Sequence, residues 1–182
     1  MTLRAPLEPL ALLKEFPRSQ WTSTRQQQPT ARLLLSRHGG FRRRVEGLLS
    51  TTQDALADRQ SPPEFCYYLA TELHYFVPLL EGHHQAETAR LYPRLLSHFP
   101  MAAQSFQVLE KDHTQLDEAI EELSQSPERL MTQAPTRKTF HTETERLFEQ
   151  LSEFQKRLAR HLDDEEDLVI PILLKLELSL DL

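Results

Sequence analysis

One pattern of a histidine, a glutamate and a proline occurs twice in this chain at identical spacing. The glutamate follows the histidine by four residues and the proline follows it by ten. The two copies are His83, Glu87 and Pro93, and His161, Glu165 and Pro171. A histidine and a glutamate four residues apart lie on one face of a helix, about 40° from each other around its axis. Two such pairs on two helices can direct four metal-ligand groups to one place, so a buried metal centre is the first hypothesis.

The elements that would carry these residues are long helices. Between short breaks, four segments have apolar residues spaced alternately three and four apart, which is typical of amphipathic helices. Four such helices with short links predict an all-α fold, an antiparallel up-down-up-down four-helix bundle. An N-terminal arm at 1–28 is expected to pack across one end of the bundle domain at 29–178. The helical segments are roughly 30–57, 64–98, 101–124 and 137–177.

Six polar residues occupy helix positions where the repeat predicts a buried apolar side chain. Buried carboxylates and imidazoles cost several kcal/mol each unless they are paired. Six of them in one core are hard to tolerate unless a metal cluster binds them. These residues are His38, His83, Glu87, His113, His161 and Glu165.

Helix lengths test whether these residues can meet. In an antiparallel bundle, about 20 residues lead from His38 to the first connection and about 20 lead back to His83. Around the second break, the lengths to His83 and to His113 also agree within about a turn. The last pair differs, with about 12 residues out from His113 and about 24 back to His161. The connection at 124–136, which can hold a short turn of helix, must absorb this difference.

The number and type of ligands suit two metal ions. If both glutamates bridge and each histidine binds once, the protein fills about eight of the roughly twelve positions of two octahedral ions. The remainder can hold an oxo or hydroxo bridge, water, or a small ligand such as O2. Mixed imidazole and carboxylate ligation suits non-haem iron or manganese, whereas zinc prefers about four ligands.

These motifs resemble those of the hemerythrin-like (HHE cation-binding) family. The likeness rests on the repeated pattern, on the Asp112-His113 pair in the third segment and on the lone His38 in the first. It covers roughly residues 30–175. The resemblance implies an antiparallel four-helix bundle with a non-haem centre of two iron ions, in preference to manganese or zinc. By position it also implies the ligands His38, His83, Glu87, His113, His161 and Glu165.

At one position the chain departs from the family. Oxygen-carrying hemerythrins have a second histidine one turn after the first on helix three, where this chain has Asp117. This difference weighs against reversible O2 carriage. Asp117 is a seventh ligand, an acceptor of a hydrogen bond from a ligand, or a solvent-exposed acid. His84 is a further alternative, because it could replace His83 as the partner of Glu87.

Other residues near the motifs are interpreted as structural. Four acids around Glu165 are expected to face solvent, with a contact to a ligand left open for one of them. Tyrosines of the second helix are expected to pack in the bundle, with electron transfer as the alternative. The Gly39-Gly40 pair either opens space beside the metals or marks a loose helix start. The acids are Asp163, Asp164, Glu166 and Asp167, and the tyrosines are Tyr68, Tyr75 and Tyr92.

Composition limits the partners and the setting. The chain has 182 residues with Lys+Arg 21 against Asp+Glu 27, so its net charge is −6 and we expect no nucleic-acid partner. No run of apolar residues is long enough for a membrane span or a secretory signal. The single cysteine, Cys66, excludes an intrachain disulfide and is expected to be a small apolar core residue. These observations indicate a cytoplasmic protein without a membrane partner.

Three functions remain open from the sequence. The first is a di-iron protein that binds O2, NO or iron itself as a sensor, buffer or carrier, with an unknown protein partner or a second copy of the chain. The second is a di-iron oxidase or peroxidase that acts on O2 or peroxide. The third is a metal-free structural bundle, which the six polar residues in core positions disfavour.

Overall fold

The computed structural model of the chain describes residues 9–21, 28–134 and 136–176. These residues are mostly helical, and none of them belongs to a β-strand. Short 3-10 turns lie at Arg18–Gln20 and Pro100–Ala102, and a π turn at Glu87–Leu91 joins α3 to α4. The α-helices are α1 Pro9–Glu15, α2 Pro29–Leu56, α3 Pro62–Ala86, α4 Tyr92–His98, α5 Ala103–Ser124, α6 Ser126–Gln133 and α7 Arg137–Leu176.

The prediction of an all-α four-helix bundle is confirmed. The first helix of the bundle is α2, the second is formed by α3 and α4 together, the third is α5 and the fourth is α7. Each begins and ends within two residues of its predicted bounds. The long connection before α7 contains α6, as the helix lengths required. The loose helix start suggested for Gly39-Gly40 is wrong, because α2 begins at Pro29 and continues through both glycines.

Local signals in the sequence determine where the helices begin. Before α2, the side-chain oxygen of Gln28 accepts a hydrogen bond from the N–H of Ala31 at 2.7 Å. Before α3, Glu64 Oε2 accepts hydrogen bonds from the N–H of Ser61 at 3.1 Å and from its hydroxyl at 2.6 Å. Both helices also have proline in the first turn, where the missing N–H is not needed. These starts fix the position of the predicted ligands along each helix.

The described residues divide into two compact units, and the first contains the predicted metal ligands. Its described residues are 9–21, 28–39, His83–His113 and 160–176. From the arm, Leu12 is fully buried and Trp21 is almost so. Packing of these two residues against the helices therefore makes the described part of the arm, residues 9–21, a component of the unit's core. Other core residues are Leu34, Leu91, Tyr92, Leu95, Phe106, Leu109, Val169, Ile172 and Leu173.

The second unit comprises Gly40–Gly82 and Thr114–Ala159. Its core contains aromatic rings in contact: the ring centroids of Phe41 and Phe76 are 5.9 Å apart, and those of Phe76 and Phe154 are 6.3 Å apart. These residues occupy the same helix faces that carry the polar residues in the first unit. In the second unit, the helical repeat therefore carries apolar side chains.

Several expectations concern the chain as a whole. In the described part, no helix is both long and apolar enough to cross a membrane. Cys66 is buried, in agreement with its expected role as a core residue. Residues 1–8, 22–27 and 177–182 lie outside the described residues, so the domain limits at 1–28 and 29–178 stay predictions.

Candidate metal centre

All six predicted ligand residues lie in the first unit and are buried, with at most 4 % of any of them exposed. The structure brings their side chains together in two groups of ligand-type atoms. Each long helix contributes, and that these residues bind metal stays a prediction. His38 lies on α2, His83 on α3, Glu87 at the start of the π turn, His113 on α5, and His161 and Glu165 on α7.

The first group contains His38, His83, Glu87 and Glu165, whose ligand-type atoms all lie within 4.8 Å of one another. Nε2 of His38 is 3.0 Å from Nε2 of His83 and 3.3 Å from Oε2 of Glu165. Oε1 of Glu87 is 3.0 Å from Nε2 of His83 and 4.0 Å from Nε2 of His38.

These separations match those between ligands of one octahedral ion. With metal–ligand bonds of about 2.1 Å, neighbouring ligands are about 3.0 Å apart and opposite ligands about 4.2 Å apart. Three of the four distances are close to the first value, and the 4.0 Å distance is close to the second. The first group therefore has the dimensions to enclose a single ion.

The second group consists of the three histidines His84, His113 and His161. The rings of His84 and His113 stack with centroids 4.1 Å apart, and those of His113 and His161 are 4.8 Å apart. The sequence suggested His84 only as a replacement for His83. The structure instead places both in the site, one in each group.

Both glutamates of the first group also reach the second. Oε2 of Glu87 is 3.5 Å from Nε2 of His113, while its other oxygen faces His83. Oε2 of Glu165 is 3.9 Å from Nε2 of His161. Each carboxylate therefore lies between the two groups, as a ligand that bridges two ions must.

Several buried polar atoms of the site make no hydrogen bond. They include both carboxylate oxygens of Glu87, both ring nitrogens of His161 and Oε2 of Glu165. Each such atom costs about 1–3 kcal/mol when nothing compensates it, and more when it is charged. His83 Nε2 and Glu87 Oε1 are 3.0 Å apart without hydrogen-bond geometry, which fits two ligands of one ion. The donor set and these atoms together fit a bound metal.

Contacts outside the two groups orient two of the histidine rings. Nδ1 of His38 is 3.0 Å from Oε1 of Glu166, and Nδ1 of His113 is 3.2 Å from Oγ1 of Thr88. When Nδ1–H donates in these contacts, Nε2 is left unprotonated and can bind a metal. Glu166 is only 5 % exposed, so the expectation of a solvent-facing acid is wrong at this position. Its bond to His38 is the ligand contact that the sequence left open for one of the four acids.

Tyr92 is a site residue for which the sequence predicted only packing or electron transfer. It is fully buried, and its ring packs on Phe106 with centroids 4.6 Å apart. Its hydroxyl donates a hydrogen bond of 2.8 Å to Oε1 of Glu165 and lies 3.3 Å from Nε2 of His113. The hydroxyl therefore contacts a member of each ligand group.

The π turn explains why Tyr92 faces the site. Residues five apart in an α-helix lie about 140° from each other around the axis. Here the N–H of Tyr92 bonds the carbonyl of Glu87, five residues earlier, so the π turn brings the two residues close to the same helix face. Pro93 follows this turn and has no N–H for the carbonyl of Ala89, but a proline alone does not cause the turn, because Pro171 of the second copy lies within the continuous α-helix α7. The repeated pattern alone therefore gave no signal for Tyr92.

Burial keeps three of the histidines neutral. It lowers the pKa of His83 and of His113 to about 2 and that of His161 to about 4. Burial would also lower the pKa of His38, but the carboxylates beside it, with Glu165 foremost, raise it well above the ordinary value. Three imidazoles are therefore ready to bind a cation at neutral pH, and the fourth carries a proton that a cation would replace.

The two glutamates differ in charge. Burial, followed by the negative charge of Glu165, raises the pKa of Glu87 well above its ordinary value. Burial would raise the pKa of Glu165 as well, but the close contact with the charged His38 lowers it well below that value. Without a metal, these shifts favour the protonated form of Glu87 and the anionic form of Glu165, which lies beside a cationic His38.

The structure does not bring Asp117 into either group. This residue is half-buried in the second unit, and neither set of ligand-type atoms includes it. His74 and His141 also belong to the second unit, and neither group of ligand-type atoms includes them.

Fold and site define a class of protein: an all-α bundle with buried groups of imidazole and carboxylate ligands that could hold metal ions. A family model described as the hemerythrin HHE cation binding domain matches residues 30–173. Because this match covers well over half of the chain, the protein belongs to the hemerythrin HHE cation-binding family, and the resemblance drawn from the motifs is confirmed. Comparison with curated proteins gave no significant match, and comparison with solved structures gave none either.

Proposed function

We propose that the protein binds two iron ions, one in each ligand group, and that this di-iron centre binds O2 or NO. His38 and His83 would hold the first ion, and the three histidines of the second group would hold the other. Glu87 and Glu165 would bridge the two ions. The observation that carries the proposal is that the carboxylate of each glutamate faces both groups, Glu87 with one oxygen toward each group and Glu165 with Oε2.

The ligand count leaves room for a small molecule. Five histidine nitrogens and two bridging carboxylates would fill about nine of the roughly twelve positions of two octahedral ions. Iron with this mixture of ligands supplies open coordination positions and two accessible oxidation states. His84 also weakens the argument against O2 binding that rested on Asp117, because it brings a third imidazole to the second group.

The surrounding residues would orient the ligands and keep water out. Glu166 and Thr88 hold the rings of His38 and His113 by their Nδ1 atoms. Tyr92 donates to Glu165 and fixes the carboxylate that reaches both groups. As a sensor, buffer or carrier, the protein would act in the cytoplasm, and a sensor would transmit its signal to a protein partner or to a second copy of the chain.

A second function, a di-iron oxidase or peroxidase, is favoured by one observation. The Tyr92 hydroxyl is a buried proton donor that contacts both ligand groups. Sustained consumption of peroxide by the iron-loaded protein, with ascorbate as the electron donor and without loss of iron, would favour this function. Loss of that turnover in Tyr92→Phe would assign the role of proton donor to the Tyr92 hydroxyl.

Anaerobic titration with ferrous iron tests the proposal. We expect about two irons per chain and an absorption spectrum that changes with O2 or NO. A change that reverses on degassing supports binding, whereas irreversible oxidation favours the enzyme. Failure of the folded protein to retain iron would contradict the proposal and favour a metal-free bundle. His98→Asn provides a control, because His98 is exposed and belongs to neither group.

A further inference from the structure

The N-terminal segment, residues 9–21 of the arm, is attached to α7 by charged side chains close to the ligand groups. Arg18 Nε donates a 2.6 Å hydrogen bond to Asp167, and its other nitrogens bond the side chain and the backbone carbonyl of Asp163. The guanidinium also lies 5.3 Å from the ring centroid of Trp21. Farther along α7, Lys175 bonds Glu15 at 2.6 Å. This segment precedes the residues that the family model matches.

Arg18 also contacts an acid that bonds a predicted ligand. Nη1 of Arg18 is 3.6 Å from Oε2 of Glu166, and the other oxygen of Glu166 is 3.0 Å from Nδ1 of His38. The Glu166 side chain is 6 % exposed and His38 is fully buried. An exposed guanidinium, a buried carboxylate and a buried imidazole therefore form a continuous chain of contacts from the N-terminal segment to the first ligand group.

A carboxylate that accepts from the Nδ1–H of a ligand histidine orients the ring and makes Nε2 a stronger donor to the metal. A buried carboxylate keeps that orientation and charge more readily when a cation lies beside its second oxygen. We propose that Arg18 is a positioning residue of the metal centre, acting through Glu166 to hold His38 and thereby to retain the ion of the first group. This inference rests on the proposed function, and it makes the N-terminal segment a functional part of the site.

Kinetics of iron release test the proposal. Iron-loaded wild-type protein, Glu166→Gln, Arg18→Gln and Arg18→Lys would be treated with a ferrous chelator under reducing conditions. We expect Glu166→Gln to release one of two irons about 10- to 100-fold faster and Arg18→Gln about two- to fivefold faster. Arg18→Lys, which keeps the charge, should restore much of the wild-type rate.

Lys175→Gln is the matched control, because it removes another ion pair of the same segment without approaching Glu166. If Arg18→Gln and Lys175→Gln accelerate release equally, Arg18 only attaches the segment and the proposal is wrong. Equal acceleration of both irons by Arg18→Gln would also contradict it, because the chain of contacts reaches only the first group.

A measurement on metal-free protein separates this inference from the proposed function. The Nδ1 proton of His38, bonded to a buried carboxylate, should give a slowly exchanging downfield proton resonance that is absent in His38→Asn. We expect Arg18→Gln to shift or broaden this resonance and Lys175→Gln to leave it unchanged. If wild-type protein binds no iron, the proposed function fails, and the resonance still decides whether Arg18 orders the pair. An identical resonance in wild type and Arg18→Gln would overturn the inference.

Discussion

Replacement of Tyr92 by phenylalanine removes one hydroxyl from the site and leaves the ring. That hydroxyl is buried and donates a 2.8 Å hydrogen bond to Glu165, whose lowered pKa makes it an anion. A hydrogen bond to a charged group contributes about 1.5–3 kcal/mol, and without the hydroxyl Oε1 of Glu165 loses this donor. Packing of the ring on Phe106 should survive. We therefore expect Tyr92→Phe to destabilise the metal-free protein by about 1.5–3 kcal/mol.

This loss is large enough to measure by thermal and urea unfolding followed by circular dichroism. For a chain of this size, 1 kcal/mol shifts Tm by about 2–4 °C, so the expected decrease is about 3–12 °C. Tyr67→Phe is the matched control, because Tyr67 is 77 % exposed and should tolerate the change. An equal Tm for the two variants would refute the reasoning, since the Tyr92 hydroxyl would then contribute nothing to the charged network.

Further predictions concern the ligands and the protons they carry. His84→Asn should reduce the iron content of the reconstituted protein from about two per chain to about one, measured by elemental analysis, and an unchanged content would remove His84 from the ligand set. Asp117→Asn should leave the iron content unchanged, and a loss of iron would make Asp117 a ligand after all. Iron binding at pH 7 should release protons, because without metal the pKa of His38 and that of Glu87 are both raised well above their ordinary values. The protonated form of each group must lose its proton to become a ligand, so iron affinity should fall as the pH decreases. Calorimetry in buffers of different ionisation enthalpy measures the number of protons released, and iron binding without proton release would contradict the prediction.

Periodicity was sufficient to predict the helices and the six residues that meet in the site. An amphipathic repeat marks every core position, so a histidine or glutamate at such a position stands out among apolar residues. His38 on α2 could be identified in this way without a motif of its own. The long connection that contains α6 was also predicted, because the lengths of the last two helices did not match.

The helical repeat could not predict the remaining residues of the site. Tyr92 faces Glu165 only because the π turn adds a residue to the helix, so a regular 3.6-residue repeat assigns Tyr92 to another face. His84 is adjacent to a core position, and three histidines on different helices had to come together before it gained a role. Glu166 lies in a run of acids, and its burial depends on tertiary contacts, including the one with Arg18. No pattern in the sequence relates Arg18 to α7.

The most direct test of the central claim is the iron content of anaerobically reconstituted protein, measured with its absorption spectrum before and after exposure to air. A buried di-iron centre predicts about two irons per chain and, in air, a near-ultraviolet charge-transfer band typical of an oxo bridge. A protein that keeps its helical fold and retains no iron would contradict the claim, and the ligand groups would then belong to a structural bundle.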